Sequence, residues 1–186
     1  MIKTLTSLTV ALLVAGTAQA SAVVDVNAQS DAIGTAGATA TLGAGDTFEI
    51  TASSLDLWRA GGGQLQSNAN GLDGTIVAVA GDDSGFAPGT VIGRNWGSPT
   101  IGGATFSFGE LVGQIDNGAY FAVGTDYKGS TATGGTLHLY FWDTFYGDNA
   151  GSIAATVTTV PEPASIALML AGLGIIGGLS RRRAKH

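Results

Sequence analysis

The sequence of 186 residues contains no cysteine and only two histidines, His138 and His186. Without cysteine, the chain has no disulfide bonds, no thiol catalysis and no cysteine-ligated zinc or iron–sulfur sites. Basic residues are scarce between Ser21 and Thr159, where three stand against thirteen acids and give a formal charge of −10. Because nucleic-acid binding needs clustered Lys and Arg, this balance excludes a nucleic-acid partner.

The first twenty residues are typical of a cleavable secretory signal peptide. Lys3 precedes an apolar run over 5–15, and Ala18-Gln19-Ala20 is a small-x-small cleavage site. The alternative, an uncleaved anchor or buried helix, is disfavoured because a membrane span needs about 20 apolar residues. We therefore predict a signal peptide over 1–20.

The C-terminal segment over 160–186 combines a proline-flanked acid, an uncharged stretch and a basic end. Pro161-Glu162-Pro163 precedes an apolar run, and Arg181, Arg182 and Arg183 follow it. We predict a transmembrane helix over 164–180, with the arginines on the cytoplasmic side by the positive-inside rule. The chain before this helix is then expected outside the inner membrane.

This ordered set of parts resembles the PEP-CTERM sorting signal. The resemblance implies cleavage near Pro161-Glu162-Pro163 by a membrane protease of the exosortase type. It also implies transient anchoring in the inner membrane and a final place at the cell surface or outside the cell. The alternative interpretation is an ordinary single-pass anchor with an accidental Pro-Glu-Pro.

Residues 21–159 have the usual size of one domain. They are rich in short alternating runs separated by Gly, Asn and Asp, which favour a single antiparallel β-sandwich. Two Gly-rich stretches, 60–74 and 81–103, are expected to be long loops. The predicted strands are Val23–Ala28, Ala36–Leu42, Thr47–Ala52, Thr75–Ala80, Thr105–Phe108, Leu111–Ile115, Ala119–Val123, Thr136–Trp142 and Ser152–Thr159.

A short acidic loop over 143–151 separates the last two predicted strands. Asp143, Asp148 and Asn149 place three oxygen-bearing side chains within it, and Gly147 and Gly151 allow tight backbone bends. Calcium prefers six to eight oxygen ligands of this kind. On chemistry alone, the same residues are more often those of a simple hairpin turn.

The loop and its flanking strands resemble the PA-IL type galactose-binding lectins, which are small calcium-dependent β-sandwiches. The resemblance rests on Asp143 followed by the Tyr146-Gly147-Asp148-Asn149-Ala150-Gly151 stretch. It also rests on the Gly45–Ala52 strand, on Trp58 six residues after it, and on Gly109–Ile115.

The resemblance implies that the sandwich is of the jelly-roll or lectin-like kind and that it has a site for calcium and sugar. Calcium would be bound by the side chains of Asp143, Asp148 and Asn149 and by the main-chain carbonyls of Trp58 and Phe145. The same three side chains would contact the sugar, with Gln66 or its neighbour Gln64 as a further contact. The implied function is calcium-dependent carbohydrate binding, with extracellular polysaccharide as the partner.

Two other classes of function stay open on the sequence. The domain could be a non-lectin structural or adhesive component of an exopolysaccharide or biofilm matrix. A glycoside hydrolase would need paired carboxylates, for which Glu49 and Glu110 are the candidates, and a hydrolytic triad would have to use His138. Nothing in the sequence brings these together, so we expect no enzyme and no catalytic residues. Aromatic side chains could stack on sugars or fill the core: Trp58, Trp96 and Trp142.

Overall fold

The alternating apolar pattern forms short strands throughout the central part of the chain. The computed structural model describes residues 19–160 and Gly172. Fourteen strands lie in this part: β1 Ala20–Asn27, β2 Ala38–Leu42, β3 Thr47–Ala52, β4 Trp58–Arg59, β5 Gln66–Ser67, β6 Ile76–Val77, β7 Val91–Gly93, β8 Thr100–Ile101, β9 Ala104–Thr105, β10 Leu111–Ile115, β11 Tyr120–Ala122, β12 Asp126–Ser130, β13 Gly135–Phe141 and β14 Ser152–Val160.

The longer strands form two antiparallel four-stranded sheets. One has the order β1-β14-β3-β12 and the other β11-β10-β13-β2, while the shortest strands pair in twos. In the first sheet, β14 lies between β1 and β3, and its register with β1 runs unbroken from Ala20 opposite Thr159 to Asn27 opposite Ser152. The chain therefore enters and leaves the first sheet at the same end.

Both sheets contribute inward side chains to one apolar core. Ile153, Ala155 and Val157 point inward from β14, and Leu137, Leu139 and Phe141 do so from β13. Two facing sheets with a shared core are the arrangement of an antiparallel β-sandwich. This confirms the predicted all-β class.

A smaller apolar cluster covers the outer face of the second sheet. It consists of Ile33, Val112, Tyr140 and Trp142, with Phe106 packed against it. The ring of Trp142 meets that of Phe106 edge-on at 4.9 Å between centroids. The C-terminal half of β13 is thus buried on both faces, whereas alternation alone predicted one polar face.

The predicted strands differ from the observed ones mainly among the short elements. Thr47–Ala52 and Leu111–Ile115 have the predicted bounds. Strand β12, which pairs with β3, was not predicted. Both stretches predicted as long loops contain short strands, of which β5 and β7 are examples.

The predicted segments at the two ends fall almost wholly outside the described residues. Only Gln19 and Ala20 of the predicted signal peptide are described, and only Gly172 of the predicted membrane helix. Across 19–160 and at Gly172, no helix is both long and apolar enough to cross a membrane.

Candidate functional site

The loop between β13 and β14 is built on Asp143, which lies two residues after the buried end of β13. The Asp143 side chain is 4 % exposed, and its Oδ1 accepts a hydrogen bond from the Phe145 N–H at 2.9 Å. A carboxylate that accepts from the N–H two residues later forms an Asx turn. One short 3-10 turn, Tyr146–Asp148, follows.

Asn149 closes the loop from the other side and leaves one oxygen without a partner. Its Nδ2 donates to the Ala28 carbonyl at 3.1 Å and to Asp143 Oδ2 at 3.2 Å. Both partners are oxygens, so the orientation of the amide is fixed by its donors. The remaining Oδ1 is buried and has no hydrogen-bond partner within residues 19–160. Such an orphaned acceptor costs about 1–3 kcal/mol unless something satisfies it.

Burial raises the pKa of Asp143 above its ordinary value. Hydrogen bonds from Phe145, Asn149 and Thr144 act in the opposite direction, and the negative charge of Asp148 adds to the rise. The carboxylate is therefore held in a site that favours a positive partner, whether a proton or a cation.

Asp148 is exposed and lies against Gly61 of the loop that joins β4 to β5. A Cβ built on Gly61 would lie 2.7 Å from Asp148 Oδ2. The bridge between Arg59 and Ala150 explains this contact, since Gly61 lies two residues after Arg59 and Asp148 lies two residues before Ala150. Gly61 also has φ +92°, which disfavours any side chain there.

Trp58 belongs to the core, and its main chain runs beside the loop. The ring is 1 % exposed, donates from Nε1 to the Gly109 carbonyl at 3.0 Å, and meets Phe141 edge-on. Arg59 exchanges both main-chain hydrogen bonds with Ala150. Because adjacent residues of a strand direct their main-chain groups to opposite edges, the Trp58 carbonyl faces β5 rather than Ala150. This orientation weighs against its predicted role as a metal ligand.

Gln66, the predicted sugar contact, lies one strand further from the loop. It pairs with Arg59 across β4 and β5, and its Oε1 is buried without a hydrogen-bond partner in the described part of the chain. Gln66 lines a cavity of about 240 Å³ together with Trp58, Asp83 and Gly151. Its alternative, Gln64, is hydrogen-bonded to the Arg94 guanidinium.

The carboxylates and histidine considered for hydrolysis are not assembled into one site. Glu49 on β3 is ion-paired with Lys128 at 3.0 Å. Glu110 lies immediately before β10 of the second sheet, and its side chain accepts a hydrogen bond from the Ser107 N–H at 2.8 Å. His138 is half-buried and contacts the Ala36 carbonyl through Nδ1 at 2.9 Å. The expectation that the chain is not an enzyme stays a prediction.

Several contacts that shape the loop were not predicted from the sequence. Gly61 and the Ala28 carbonyl each touch a candidate ligand, and Gln29 Nε2 donates to the Gly147 carbonyl at 3.2 Å. The Gly-rich run beginning at Gly61 was the one sequence signal among them, but it is equally typical of an ordinary loop.

Acidic side chains also gather beside the start of β14. Asp56 Oδ2 accepts from the Ala154 N–H at 2.7 Å. Burial raises the pKa of Asp56, and contact with Asp83 and the charge of Asp25 raise it further. Within residues 19–160 and at Gly172, no group of three or more His, Cys, Asp or Glu side chains is arranged to hold a metal ion. The loop between β13 and β14 has two carboxylates, Asp143 and Asp148, and the amide of Asn149.

Comparison with known proteins identifies the C-terminal segment and gives a distant structural likeness for the rest. The N-terminal domain of EclA, a PllA-like lectin, is similar over 75 % of this chain and 94 % of that chain, with 25 % sequence identity and a TM-score of 0.43. No curated protein is significantly similar in sequence. The family model described as PEP-CTERM protein-sorting motif matches residues 159–184. These include Pro161, Glu162, Pro163 and the three arginines, so the chain carries a PEP-CTERM sorting motif, as the sequence predicted.

Proposed function

We propose that the chain is an exported protein that an exosortase-type protease processes. The sorting motif over 159–184 supports this proposal, as does the signal-peptide pattern over 1–20. The chain would be held transiently in the inner membrane by 164–180 and would reach the cell surface or the extracellular space after cleavage. Its domain would then act outside the cell.

The function that fits the domain best is calcium-dependent carbohydrate binding by a lectin-like β-sandwich. The observation that carries this proposal is the buried Asn149 Oδ1, which has no hydrogen-bond partner within residues 19–160, on an amide whose Nδ2 donates to the Asp143 carboxylate. A cation beside Asp143 would satisfy both groups at once. A hairpin turn needs no such orphaned oxygen, so this feature supports a binding site over a simple turn.

The oxygen atoms of the loop suit calcium among the common cations. Asp143, Asp148 and Asn149 would hold the ion by side chains, and Phe145 by its main-chain carbonyl. Four protein oxygens leave two to four of calcium's six to eight positions for other oxygens. When bound, calcium supplies a positive centre to which two neighbouring sugar hydroxyls can bind. The exposed carboxylate of Asp148, next to Asn149, can accept hydrogen bonds from such hydroxyls.

Thermal unfolding of the full chain tests the ion site directly. In a detergent without a sugar headgroup, we expect the melting temperature to be higher in millimolar calcium than in chelator. At a calcium concentration of about 100 Kd, the gain is roughly 2.7 kcal/mol, or roughly 5–10 °C for a domain of this size. The double variant Asp148→Ala, Asn149→Ala should lose the gain, and the exposed control Asp126→Ala should keep it.

The opposite outcome would leave a different function. If calcium does not shift the melting temperature, the metal-dependent site is wrong. The domain would then be a structural or adhesive component of the matrix. Export and processing would be unaffected, because they rest on the two ends of the chain.

A further inference from the structure

The candidate loop carries two aromatic side chains that the apolar core does not cover. Phe145 is 74 % exposed and Tyr146 42 % exposed. Phe145 is the most exposed of the seven phenylalanines, all of which lie in the described part of the chain. Leaving a phenylalanine ring in water forgoes the stabilisation of burying it. A partner bound at Asp143, Asp148 and Asn149 would lie beside this ring and could recover that stabilisation by covering it.

The backbone that bears the Phe145 ring is held on both sides. The Phe145 N–H is bound to Asp143 Oδ1 at 2.9 Å. The next residue, Tyr146, accepts from the Asn149 N–H at 3.3 Å, and the Gly147 carbonyl accepts from Gln29 Nε2 at 3.2 Å. These contacts fix the position from which the ring projects, so covering the ring costs little ordering of the loop.

We propose that Phe145 is the stacking face for a neutral pyranose whose hydroxyls bind at the Asp143–Asn149 loop, an inference that rests on the proposed carbohydrate-binding function. A pyranose has an apolar face of C–H groups and a polar edge of hydroxyls. The loop offers the matching pair, an exposed aromatic ring and a set of oxygens that includes the unpartnered Asn149 Oδ1 and the exposed Asp148 carboxylate. Carbon-bound hydrogens, which carry slight positive charge, are attracted to the negative face of an aromatic ring.

The charge around the loop selects against acidic sugars. Asp148 is exposed in the same turn, and the formal charge of residues 21–159 is −10. Calcium in the loop would add two positive charges, which leaves residues 21–159 with a formal charge of −8. A uronate lying on Phe145 would be repelled by the acidic groups that the ion does not neutralise. Neutral hexose units of a polysaccharide are therefore the expected ligand.

The experiment measures sugar affinity of the full chain at saturating calcium, in a detergent without a sugar headgroup. The probes are the methyl glycosides of galactose, glucose and mannose, together with methyl galacturonoside. We expect Phe145→Ala to weaken the best neutral glycoside about tenfold and Phe145→Tyr to retain its affinity. A tenfold loss of affinity equals about 1.4 kcal/mol, which corresponds to roughly 55 Å² of ring left uncovered at about 25 cal/mol per Å². The matched control is Phe86→Ala, because Phe86 is 54 % exposed and lies outside the loop.

The outcomes separate this inference from the function on which it rests. If the wild-type chain binds a neutral glycoside and Phe145→Ala binds it equally well, the stacking role is wrong and the lectin function stands. Preference for the galacturonoside would overturn the selection by charge. If the wild-type chain binds none of the neutral glycosides, both the function and the inference are wrong.

Discussion

Gly61 and Gly63 differ in one respect that bears on the candidate site. Both have positive φ, at +92° and +78°. A Cβ on Gly61 would lie 2.7 Å from Asp148 Oδ2, whereas a Cβ on Gly63 would meet nothing within 4 Å. The pair therefore separates the cost of the backbone conformation from the cost of displacing the Asp148 carboxylate.

We expect Gly61→Ala to reduce the calcium-induced rise in melting temperature and Gly63→Ala to leave it intact. In chelator, both variants should be destabilised by about 1–2 kcal/mol because alanine is strained at positive φ. Thermal unfolding with and without calcium measures both effects. An equal calcium response in the two variants would contradict the role given to the Asp148–Gly61 contact.

Asp56 provides a test of the electrostatics in the absence of calcium. Its pKa is raised above the ordinary 3.8, first by burial and then by Asp83 and Asp25, against the hydrogen bond from Ala154. The folded state thus holds the Asp56 proton more tightly than the unfolded state does. Ionisation of Asp56 therefore lowers stability as the pH rises from about 3.8 through the raised pKa.

The substitution Asp56→Asn removes this pH-dependent cost and keeps an oxygen that can accept from Ala154. We expect the melting temperature of the variant relative to wild type to increase between about pH 4 and pH 7, measured in chelator. Asp126→Asn, on the exposed edge strand β12, is the control. If the difference in melting temperature stays constant or falls with pH, the pKa of Asp56 is not raised in the folded state.

Strand β14 runs directly into the sorting motif. Thr159 and Val160 are the first two residues of the matched motif, and they pair with Phe48 and Thr47 on the neighbouring strand β3. Thr47 Oγ1 also donates to the Val160 carbonyl at 3.3 Å. A protease that binds its substrate as an extended chain needs free residues on both sides of the bond it cuts. Cleavage near Pro161 is therefore expected to depend on local opening of this strand end.

A flexible spacer should relieve that dependence. We expect four Gly and Ser residues inserted between Val160 and Pro161 to raise the rate of C-terminal processing a few-fold in the exporting cell. The same insertion between Gly62 and Gly63 is the control. Loss of the C-terminal segment can be followed by mass spectrometry of the mature chain, and an unchanged rate would show that the pairing of Thr159 and Val160 does not limit cleavage.

The regular strands could be predicted because their side chains alternate. The inward residues of β13 and β14 are those that alternation indicates, and β3 and β10 have the predicted bounds. Strand β12 could not be predicted, since Asp126–Ser130 contains charged residues and a glycine and is buried only in part. It is a strand because it pairs with β3, which is information that its own residues do not contain.

The candidate site, like the strands, could be predicted only in part from the sequence. Asp143, Asp148 and Asn149 could be identified because they are close in sequence and chemically alike. The contacts that arrange them come from distant segments. Ala28, whose carbonyl accepts from Asn149, lies 121 residues earlier in the chain. Gly61 is brought to Asp148 by the bridge between Arg59 and Ala150. Similarly, the direction of the Trp58 carbonyl depends on which edge of β4 pairs with β5, which spacing alone does not reveal.

Strand β14 separates the loop from the sorting motif. The strand begins at Ser152, three residues after Asn149, and ends at Val160. Eight steps of about 3.4 Å give roughly 27 Å between these ends. The chain thus enters its sorting motif at the end of the strand opposite the candidate loop. A ligand could reach the loop without approaching the residues near which cleavage is proposed.

The melting temperature of the full chain in calcium and in chelator decides whether the loop between β13 and β14 binds calcium. We predict a rise of roughly 5–10 °C in calcium that disappears in Asp148→Ala, Asn149→Ala. Equal melting temperatures in millimolar calcium and in chelator would contradict the claim, as would a rise that the double variant retains.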